Sequence, residues 1–387
     1  MLGFLRPLSK NTLRVGILLM AGVLVSFGDA RIRSPYDNLS LDQMLGQMLM
    51  VGFRGDHAEQ GSKIATDIQK HHLGGVVLYT NDLAKDKSIR NVRTPEQLKK
   101  LVQGLHRASQ GSPLLVAVDQ EGGQVRRLKK KFGFDGSQSA ARLGKEDVEI
   151  NTRNQSRRTA DILSRYGINL NLAPVVDLNL NPNNPVIAKH DRSYGVHPSH
   201  VARHARAFVQ GHRTHNVLTS LKHFPGHGSS HHDSHRGIVD VTDTWKSSEL
   251  APFKNLIASQ HADTVMVAHL YQRKLDAHLP ATLSRSIVHD KLRTEMGYDG
   301  VVITDDLQME AITQSFGETE AAILAVQAGV DILLYANNTT YDDTVLPRII
   351  GSLKSAVLDG RIERSRIEES YGRIMALKSR LRPTFEP

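Results

Sequence analysis

Short apolar runs alternate with helical patterns along the chain from about residue 41 onward. Eight of these runs have the length and composition of strands, and most are separated by a stretch with helical periodicity. They are Met48–Phe53, Gly74–Tyr79, Leu114–Asp119, Ile168–Asn179, Val217–Leu221, Thr264–Ala268, Val301–Thr304 and Asp331–Tyr335. Because most of these runs are almost continuously apolar, they are typical of parallel strands that are covered on both faces.

The segments between the runs carry helix signals. Thr94 followed by Pro95 and Gln97 predicts a helix that begins after Thr94 and ends near Ser109. Further helices are predicted over residues 146–165, 198–213, 248–260, 318–328, 345–358 and 364–380. Strands that alternate with helices in this way fit two architectures, a doubly wound sheet or a (β/α)₈ barrel.

Polar side chains at the ends of many different runs favour the barrel. The residues are Asp119, Asp177, Lys222, His223, His269 and Asp305. A barrel collects functional groups from many strands at its C-terminal face, whereas a doubly wound sheet concentrates them at one switch point. The sequence therefore predicts an α/β fold with a single (β/α)₈ barrel, which we place at residues 36–387.

The first thirty residues differ from the rest of the chain. Basic residues precede an uncharged apolar run, Val15–Phe27, and the small residues Gly28 and Ala30 follow it. This order is typical of a secretory signal peptide, and the run is shorter than the roughly 20 residues of a membrane span. We expect residues 1–30 to be a signal peptide, with an uncleaved inner-membrane anchor as the alternative, and the protein to be exported to the periplasm or secreted.

Composition excludes several kinds of chemistry. Cysteine is absent, which rules out disulfides, thiolate metal sites and a cysteine nucleophile. The formal net charge is +9, but the basic residues are spread along the chain and only 5% of residues are aromatic. Because nucleic-acid binding proteins concentrate basic residues in a patch, we expect no nucleic-acid partner. An acidic cell-wall polymer is at least as compatible with this charge.

The stretch from Lys222 to His235, K-H-F-P-G-H-G-S-S-H-H-D-S-H, is dense in side chains that titrate or bind metals near neutral pH. One reading is a metal site, since imidazole is a common ligand of transition metals. The other is proton transfer by Asp233 and His235, because a carboxylate two residues before an imidazole can bond it and raise its basicity. His231 and His232 are expected to be exposed loop residues.

Three other polar segments are candidates for ligand binding. D-Q-E-G-G-Q-V-R-R at 119–127 combines acceptors and donors on one turn, and Arg192 stands in a loop rich in proline and asparagine. Thr304-Asp305-Asp306 ends a strand, and adjacent carboxylates there point to opposite sides, so one enters the cleft while the other caps or pairs. From spacing alone, a strand-end turn with solvated arginines explains the 119–127 segment equally well. A solvated Arg192 and a capping role for Asp305 are the default readings of the other two.

Six motifs in order resemble the β-N-acetylhexosaminidases of glycoside hydrolase family 3, particularly the bacterial β-N-acetylglucosaminidases that recycle or remodel peptidoglycan. The motifs are D-Q-E-G-G-x-V-x-R at 119–127, R-S-[FY] at 192–194, K-H-F-P-G-H-G with D-S-H at 222–235, V-x-A-H at 266–269, P-A-T-L-S at 280–284 and [ST]-D-D-L at 304–307. The likeness covers most of the chain after residue 40. The fold of that family is a (β/α)₈ barrel, in agreement with the strand pattern.

The resemblance implies a retaining exo-β-N-acetylglucosaminidase that acts on peptidoglycan fragments or chitooligosaccharides without a metal or other cofactor. It assigns Asp305 as the nucleophile that forms a covalent glycosyl-enzyme, and His235 as the general acid/base, oriented by Asp233. The residues it assigns to sugar binding are Asp119, Arg127, Arg192, Lys222 and His223. The expected partner is therefore a carbohydrate, with membrane contact only through an uncleaved N-terminal segment.

The sequence also departs from the family pattern. Ser229-Ser230, followed by His231-His232, stand where Asp-Thr is common after H-G, and Gln124 stands where arginine is common. These changes bear on loop closure and on the preferred aglycone, while the D-x-H and the loop length are intact. Three rival functions stay open at this point: a β-glucosidase of the same family, a metal-dependent barrel hydrolase that uses the His-rich loop, and a non-catalytic sugar-binding homologue.

Overall fold

Eight parallel strands form a nearly closed barrel in the computed structural model of the chain, which describes residues 36, 38–110 and 112–381. The strands are β1 Leu49–Gly52, β2 Gly75–Leu78, β3 Leu115–Val118, β4 Leu170–Asn171, β5 Leu218–Phe224, β6 Thr264–Val267, β7 Val301–Thr304 and β8 Leu333–Tyr335. Each strand from β1 to β6 pairs with the next one, and β8 pairs with β1. A parallel bridge between Ile303 and Ile332 joins β7 to β8. The predicted barrel is confirmed.

Helices connect the strands and cover the barrel. They are α1 Leu41–Gln47, α2 Lys63–His71, α3 Pro95–Ala108, α4 Ala140–Glu146, α5 Glu149–Arg165, α6 Pro198–Arg213, α7 Ala251–Ala258, a π-helix Ser286–Glu295, α8 Glu310–Thr313, α9 Glu318–Ala328, α10 Val345–Leu358 and α11 Arg364–Lys378. α3 begins as predicted, because the Thr94 hydroxyl accepts a hydrogen bond from the Gln97 N–H at 3.2 Å. Among the described residues, each helix is too short or too polar to cross a membrane.

The part of the chain that the structure describes begins after the predicted signal or anchor segment. The predicted signal or anchor segment, residues 1–30, lies outside the described residues. The compact unit that contains the barrel begins at Leu39. Its first helix, α1, is capped by Ser40, whose hydroxyl accepts from the Gln43 N–H while the Gln43 side chain accepts from the Ser40 N–H. This reciprocal capping box begins the barrel at its N-terminal end.

Some element boundaries differ from the sequence pattern. The helix predicted over 146–165 is α5 and begins three residues later, at Glu149, because Asp147 adopts a left-handed conformation with φ of 50° that separates α5 from α4. The predicted strand 168–179 contracts to Leu170–Asn171, and Pro174 has no N–H to donate to a neighbouring strand. Helices α1, α2, α4, α8 and the π-helix were not predicted. In α2 the buried residues are Ile64, Ala65 and Ile68, which lie on one face of the helix.

Apolar side chains fill the space inside the barrel and between the strands and helices. All four residues of β3, Leu115–Val118, are completely buried. α3 turns Leu98, Leu101 and Leu105 towards the sheet, and each is also completely buried. Burying one such side chain contributes about 1.5–3 kcal/mol. This core holds the C-terminal strand ends in fixed positions, and the site is built on those ends.

A buried carboxylate, that of Asp331, links the neighbouring strands β7 and β8. Asp331 stands just before β8 and is completely inaccessible. Its Oδ2 accepts hydrogen bonds from the Val302 N–H at 2.9 Å and from Arg293 Nη2 at 2.6 Å. Its Oδ1 accepts from Arg366 Nη2 at 3.1 Å and from Ser370 Oγ at 2.8 Å. One side chain thus joins two strands, the π-helix and α11 where the strand pairing is sparsest.

We expect Asp331→Ala to lower the free energy of unfolding by about 3–5 kcal/mol, because it leaves partly buried guanidinium groups without their counter-charge. Urea denaturation followed by circular dichroism measures this change. The matched control is Asp299→Ala, since Asp299 pairs with Arg373 at 2.9 Å but is 89% exposed. The control should unfold like the wild type, as exposed ion pairs contribute little. Wild-type stability of Asp331→Ala would contradict the role given to this carboxylate.

Candidate active site

One pocket of about 390 Å³ opens at the C-terminal ends of the strands. All eight residues that the sequence nominates line it: Asp119, Arg127, Arg192, Lys222, His223, Asp233, His235 and Asp305. They come from the ends of β3, β5 and β7 and from the loops that follow β3, β4 and β5. Both polar and apolar side chains form the remaining walls, among them Asn338, Met266 and Leu334. The barrel therefore brings the whole predicted set together.

A buried lysine joins the two acidic residues after β3. Lys222 Nζ lies 2.8 Å from Asp119 Oδ1 and 2.8 Å from Glu121 Oε1, and its side chain is 3% exposed. Arg127 Nη2 donates to the other oxygen of Asp119 at 2.7 Å. Because each carboxylate faces a cation, burial of these charges is compensated. This arrangement links the end of β5 to the end of β3 across the intervening β4.

The network continues from Glu121 to the loop after β4. Arg192 binds Glu121 with two parallel hydrogen bonds, from Nε and Nη2, each 2.8 Å long. Arg192 Nη2 also lies 3.2 Å from His223 Nε2, and His223 Nδ1 lies 2.7 Å from Asp177 Oδ2. If the guanidinium donates to Nε2, the imidazole carries its proton on Nδ1 and donates it to Asp177. Hydrogen-bonding partners therefore fix the orientations of the Arg192 guanidinium and the His223 imidazole.

Opposite charges keep the acidic side chains of this network ionised. Burial alone would raise the pKa of Asp119, but Lys222 and Arg127 hold it far below its usual value. In the same way, Arg192 and Lys222 lower the pKa of Glu121 to about 2 despite burial. Burial opposes the charge of Lys222, yet the two carboxylates raise its pKa. Asp119, Glu121 and Lys222 therefore keep their charges over the whole physiological pH range.

The two carboxylates after β7 have different environments. Burial would raise the pKa of Asp305, but the imidazoles of His223, His269 and His235 and the N–H of Asp306 hold it below its usual value. Asp306 instead turns inward and accepts from the N–H groups of Gln308 at 3.1 Å and Ala336 at 2.9 Å. Burial raises the pKa of Asp306 to about 6. Both residues line the pocket, but only Asp306 is held by two backbone N–H groups.

A carboxylate–imidazole pair stands on the loop after β5. Asp233 Oδ1 lies 2.7 Å from His235 Nδ1 and also accepts from the His235 N–H at 3.0 Å. The hydrogen bond to His235 lowers the pKa of Asp233 to about 2. Burial opposes the charge of His235, but the bond to Asp233 and the charge of Asp305 raise its pKa above the usual value. The ring is 53% exposed, so its Nε2 can reach a ligand from the solvent side.

The other histidines of this loop do not converge on one point. His227 is buried, with Nδ1 2.7 Å from Ser230 Oγ and Nε2 3.3 Å from Ser234 Oγ. Burial lowers the pKa of His227 to about 4, so it is neutral. His231 and His232 are exposed, as expected. The segment therefore divides into a buried part that supports the loop and a half-exposed part that faces the pocket.

Close backbone packing holds the start of this loop. A Cβ on Gly228 would lie 1.6 Å from the Leu178 carbonyl oxygen, and one on Gly226 would lie 2.5 Å from the Glu249 side chain. Gly226 also has a φ of 123°, a conformation that glycine adopts at little cost. Glu249 is completely buried, and its Oε2 accepts from the Gly228 N–H at 3.0 Å. Glu249 is therefore a support beneath the loop.

Sequence reasoning gave Glu249 no role, and it gave Glu121 and Asp177 no role beyond their place in a polar segment and at a strand end. The place of Glu121 in the site could have been predicted, because alternate residues of an extended segment face the same side and Glu121 follows Asp119 by two positions. The role of Glu249 could not, since its partner Gly228 is 21 residues away. The departure at Gln124 lies outside the pocket, where the exposed Gln124 Oε1 is 3.3 Å from His190 Nδ1.

A (β/α)₈ barrel that gathers carboxylates and a carboxylate–imidazole pair at its C-terminal face has the architecture of a glycoside hydrolase. The sequence model of the glycosyl hydrolase family 3 N terminal domain matches residues 40–377. The chain belongs to glycosyl hydrolase family 3.

Two relatives that are named beta-hexosaminidases support this family assignment. The chain is 35% identical over 348 residues to beta-hexosaminidase LpqI of Mycobacterium tuberculosis, covering 88% of this chain and 83% of that protein. It is 32% identical to beta-hexosaminidase A of Pseudoalteromonas piscicida, covering 89% of this chain and 62% of that protein.

The solved structures have the same fold. A family 3 beta-N-acetylglucosaminidase from a Paenibacillus species superposes with a TM-score of 0.81 at 37% identity, covering 88% of this chain and 62% of that one. A beta-N-acetylhexosaminidase from Beutenbergia cavernae superposes with a TM-score of 0.78 at 32% identity, covering 88% of this chain and 99% of that one. The chain thus spans less than two thirds of the Pseudoalteromonas and Paenibacillus proteins and nearly all of the Beutenbergia structure.

Glu249 predicts a pH dependence of stability. Burial raises its pKa from 4.5 to about 7, against the hydrogen bonds it accepts from backbone N–H groups. Because the folded protein holds this proton more tightly than the unfolded chain, the stabilisation is complete below about pH 4.5 and is lost as pH rises through about 7. We expect the fall in Tm between about pH 5 and pH 8 to be smaller in Glu249→Gln than in the wild type.

Differential scanning fluorimetry across this pH range measures the difference. The control is Glu320→Gln, which removes a carboxylate that is 45% exposed and pairs with Arg361. Its Tm should follow the wild-type pH profile. Parallel profiles for Glu249→Gln and the wild type would show that Glu249 does not titrate in this window.

Proposed function

We propose that the protein is a retaining exo-β-N-acetylglucosaminidase that removes terminal N-acetylglucosamine from peptidoglycan fragments or chitooligosaccharides. One observation carries the proposal: an ionised carboxylate, Asp305, and a half-exposed carboxylate–imidazole pair, Asp233 and His235, line the same sugar-sized pocket. A nucleophile and a proton donor on one cleft are the two groups that a double displacement at a glycosidic bond requires.

In the first step, Asp305 attacks the anomeric carbon and its oxygen forms a bond to that carbon. The glycosidic C–O bond breaks, and His235 donates a proton to the departing oxygen. In the second step, His235 takes a proton from water, the water oxygen bonds to the anomeric carbon, and the Asp305 ester bond breaks. Both steps pass through an oxocarbenium-like state, which the negative charge of the carboxylate stabilises. Two displacements return the β configuration.

The charged network supplies the sugar-binding side chains in this scheme. Asp119 and Glu121 are acceptors for sugar hydroxyls, whereas Arg127, Arg192 and Lys222 are donors for hydroxyl or acetamido oxygens. His223 is held by Asp177 at 2.7 Å, so its ring edge is fixed beside the pocket. Because these groups are already paired with one another, binding requires little reordering of side chains. They hold the sugar while Asp305 and His235 react.

Relatives and the N-terminus support the substrate class and the location. The relatives from Mycobacterium tuberculosis and Pseudoalteromonas piscicida are named beta-hexosaminidases. A further relative, 30% identical over 362 residues, is named an uncharacterized secreted glycosyl hydrolase, from Arthroderma benhamiae. Together with the signal-like residues 1–30, these support export and action on wall material outside the inner membrane. The choice between a cleaved signal and an anchor belongs to the same proposal.

We expect Asp305→Ala to lower kcat for an aryl β-N-acetylglucosaminide by at least about 10⁴-fold, because the covalent step loses its nucleophile. Release of nitrophenol measures the rate, and EDTA should leave the wild-type rate unchanged. Asp299→Ala, a surface substitution, should keep wild-type activity. Near wild-type turnover by Asp305→Ala would refute the assignment. Faster hydrolysis of the aryl β-glucoside than of the N-acetylated substrate by the wild type would favour the β-glucosidase reading.

The Asp233–His235 pair predicts a shift in the pH profile. The general acid must be protonated in the first step, so kcat/KM falls as pH rises through the pKa of His235. Asp233 raises that pKa, and Asp233→Asn should therefore move the alkaline limb of the profile to lower pH. His235→Ala should lower kcat by about 10²–10⁴-fold with the aryl substrate.

His232→Gln is the control in the same loop, because His232 is exposed and does not line the pocket. Its pH profile should match that of the wild type. An unchanged alkaline limb in Asp233→Asn would show that this carboxylate does not charge His235.

A further inference from the structure

A second group of potential ligand atoms lies outside the pocket, at the N-terminal end of α6. His200 and His204 stand one helical turn apart on the same face of α6, and Asp147 approaches them from the break between α4 and α5. The ligand atoms of these three residues all lie within 4.8 Å of one another. None of the three lines the catalytic pocket. The cluster is thus separate from the site already described.

The geometry of the cluster is fixed from several sides. Asp147 Oδ1 lies 3.3 Å from His200 Nδ1 and 3.4 Å from His204 Nε2. The other nitrogen of the buried His204 ring, Nδ1, is 2.7 Å from Thr152 Oγ1, and the ring stacks on Tyr194 with centroids 5.3 Å apart. A partner on the second nitrogen is what orients a metal-binding imidazole and sets its tautomer. The nitrogen that faces Asp147 is therefore held in place.

The guanidinium of Arg203 already contacts two of these ligand atoms. Arg203 Nη2 hydrogen-bonds Asp147 Oδ1 and lies 3.2 Å from His200 Nδ1. The Arg203 side chain is 44% exposed, so it can rotate into solvent without leaving a buried cavity. Asp147 is 54% exposed and His200 is 20% exposed, which leaves one side open for water ligands. The site thus combines a matched set of donors with a displaceable positive charge.

We propose that Asp147, His200 and His204 bind a divalent transition metal of the Zn²⁺ class, in competition with the guanidinium of Arg203. Two imidazoles and a carboxylate suit Zn²⁺, Co²⁺ or Ni²⁺, and water completes the coordination. The metal joins the α4–α5 connection to α6. The proposed metal also binds the His204 ring that stacks on Tyr194, two residues after the pocket residue Arg192. We therefore expect the metal to affect the stability of this region. The proposal does not depend on which sugar the pocket accepts.

Isothermal titration of the metal-free full chain with Zn²⁺ tests the proposal, together with the visible absorption of bound Co²⁺. We expect one site per chain, a Tm that rises with Zn²⁺ concentration, and about tenfold tighter binding in Arg203→Gln, which loses the competing charge-assisted bond. Asp147→Asn and His200→Gln, both accessible positions, should each abolish this binding while keeping the wild-type Tm in the absence of metal.

The double variant His231→Gln/His232→Gln is the control for binding by the exposed loop, and it should keep the site and the Co²⁺ spectrum. Four results would overturn the proposal. The first three are no stoichiometric binding in either the wild type or Arg203→Gln, equal affinity in these two proteins, and unchanged binding in Asp147→Asn and His200→Gln. The fourth is loss of binding in Asp233→Asn, which would place the metal on the catalytic loop.

Discussion

The pocket depends on the ammonium group of Lys222, which keeps its charge while buried beneath the strand ends. Without that group, only Arg127 would face Asp119 and only Arg192 would face Glu121, so two largely buried carboxylates would each lose a partner, at a cost of several kcal/mol. Loss of either carboxylate would in turn take a counter-charge from the buried ammonium. These side chains therefore stabilise one another, and they come from the ends of two strands on either side of β4. Their mutual requirement fixes the floor of the pocket and, through Arg192, the loop after β4.

This floor contrasts with the loop that carries Asp233 and His235. Asp305 and the charged network are largely buried, and their protonation states are set by fixed neighbours. His235 is half exposed, and its pKa is raised by one short hydrogen bond and one nearby charge. In the proposed reaction, such a division is useful, because the sugar must be held still while the leaving group departs towards solvent. A nucleophile belongs on the rigid part, and a proton donor that meets varied leaving groups belongs on the accessible part.

Much of this arrangement could be predicted from the sequence, and the exceptions have physical reasons. The barrel and Asp305 could be predicted because apolar runs and the polar residues after them are local features of the chain. Glu121 was within reach through its two-residue spacing from Asp119. Glu249 and Asp331 were not, since each acts on partners far along the chain, and a single carboxylate in a helix or before a strand is common. The start of α5 was predicted three residues too early because the left-handed Asp147 leaves no mark on the hydrophobic period.

The departure at Ser229-Ser230 is best understood through Glu249. Ser230 is buried and bonds both His227 and Asn184, so it supports the loop through neutral hydrogen bonds. Ser229 is also buried, directly after the Gly228 N–H that Glu249 accepts. A carboxylate at position 229 would place a second acid beside Glu249, whose pKa burial already raises to about 7. With serine there, Glu249 and Asp177 are buried acids that hold the backbone of the loop, and Asp233 lies 2.7 Å from His235. The substitution therefore changes how the loop is supported, while the groups proposed to react keep their geometry.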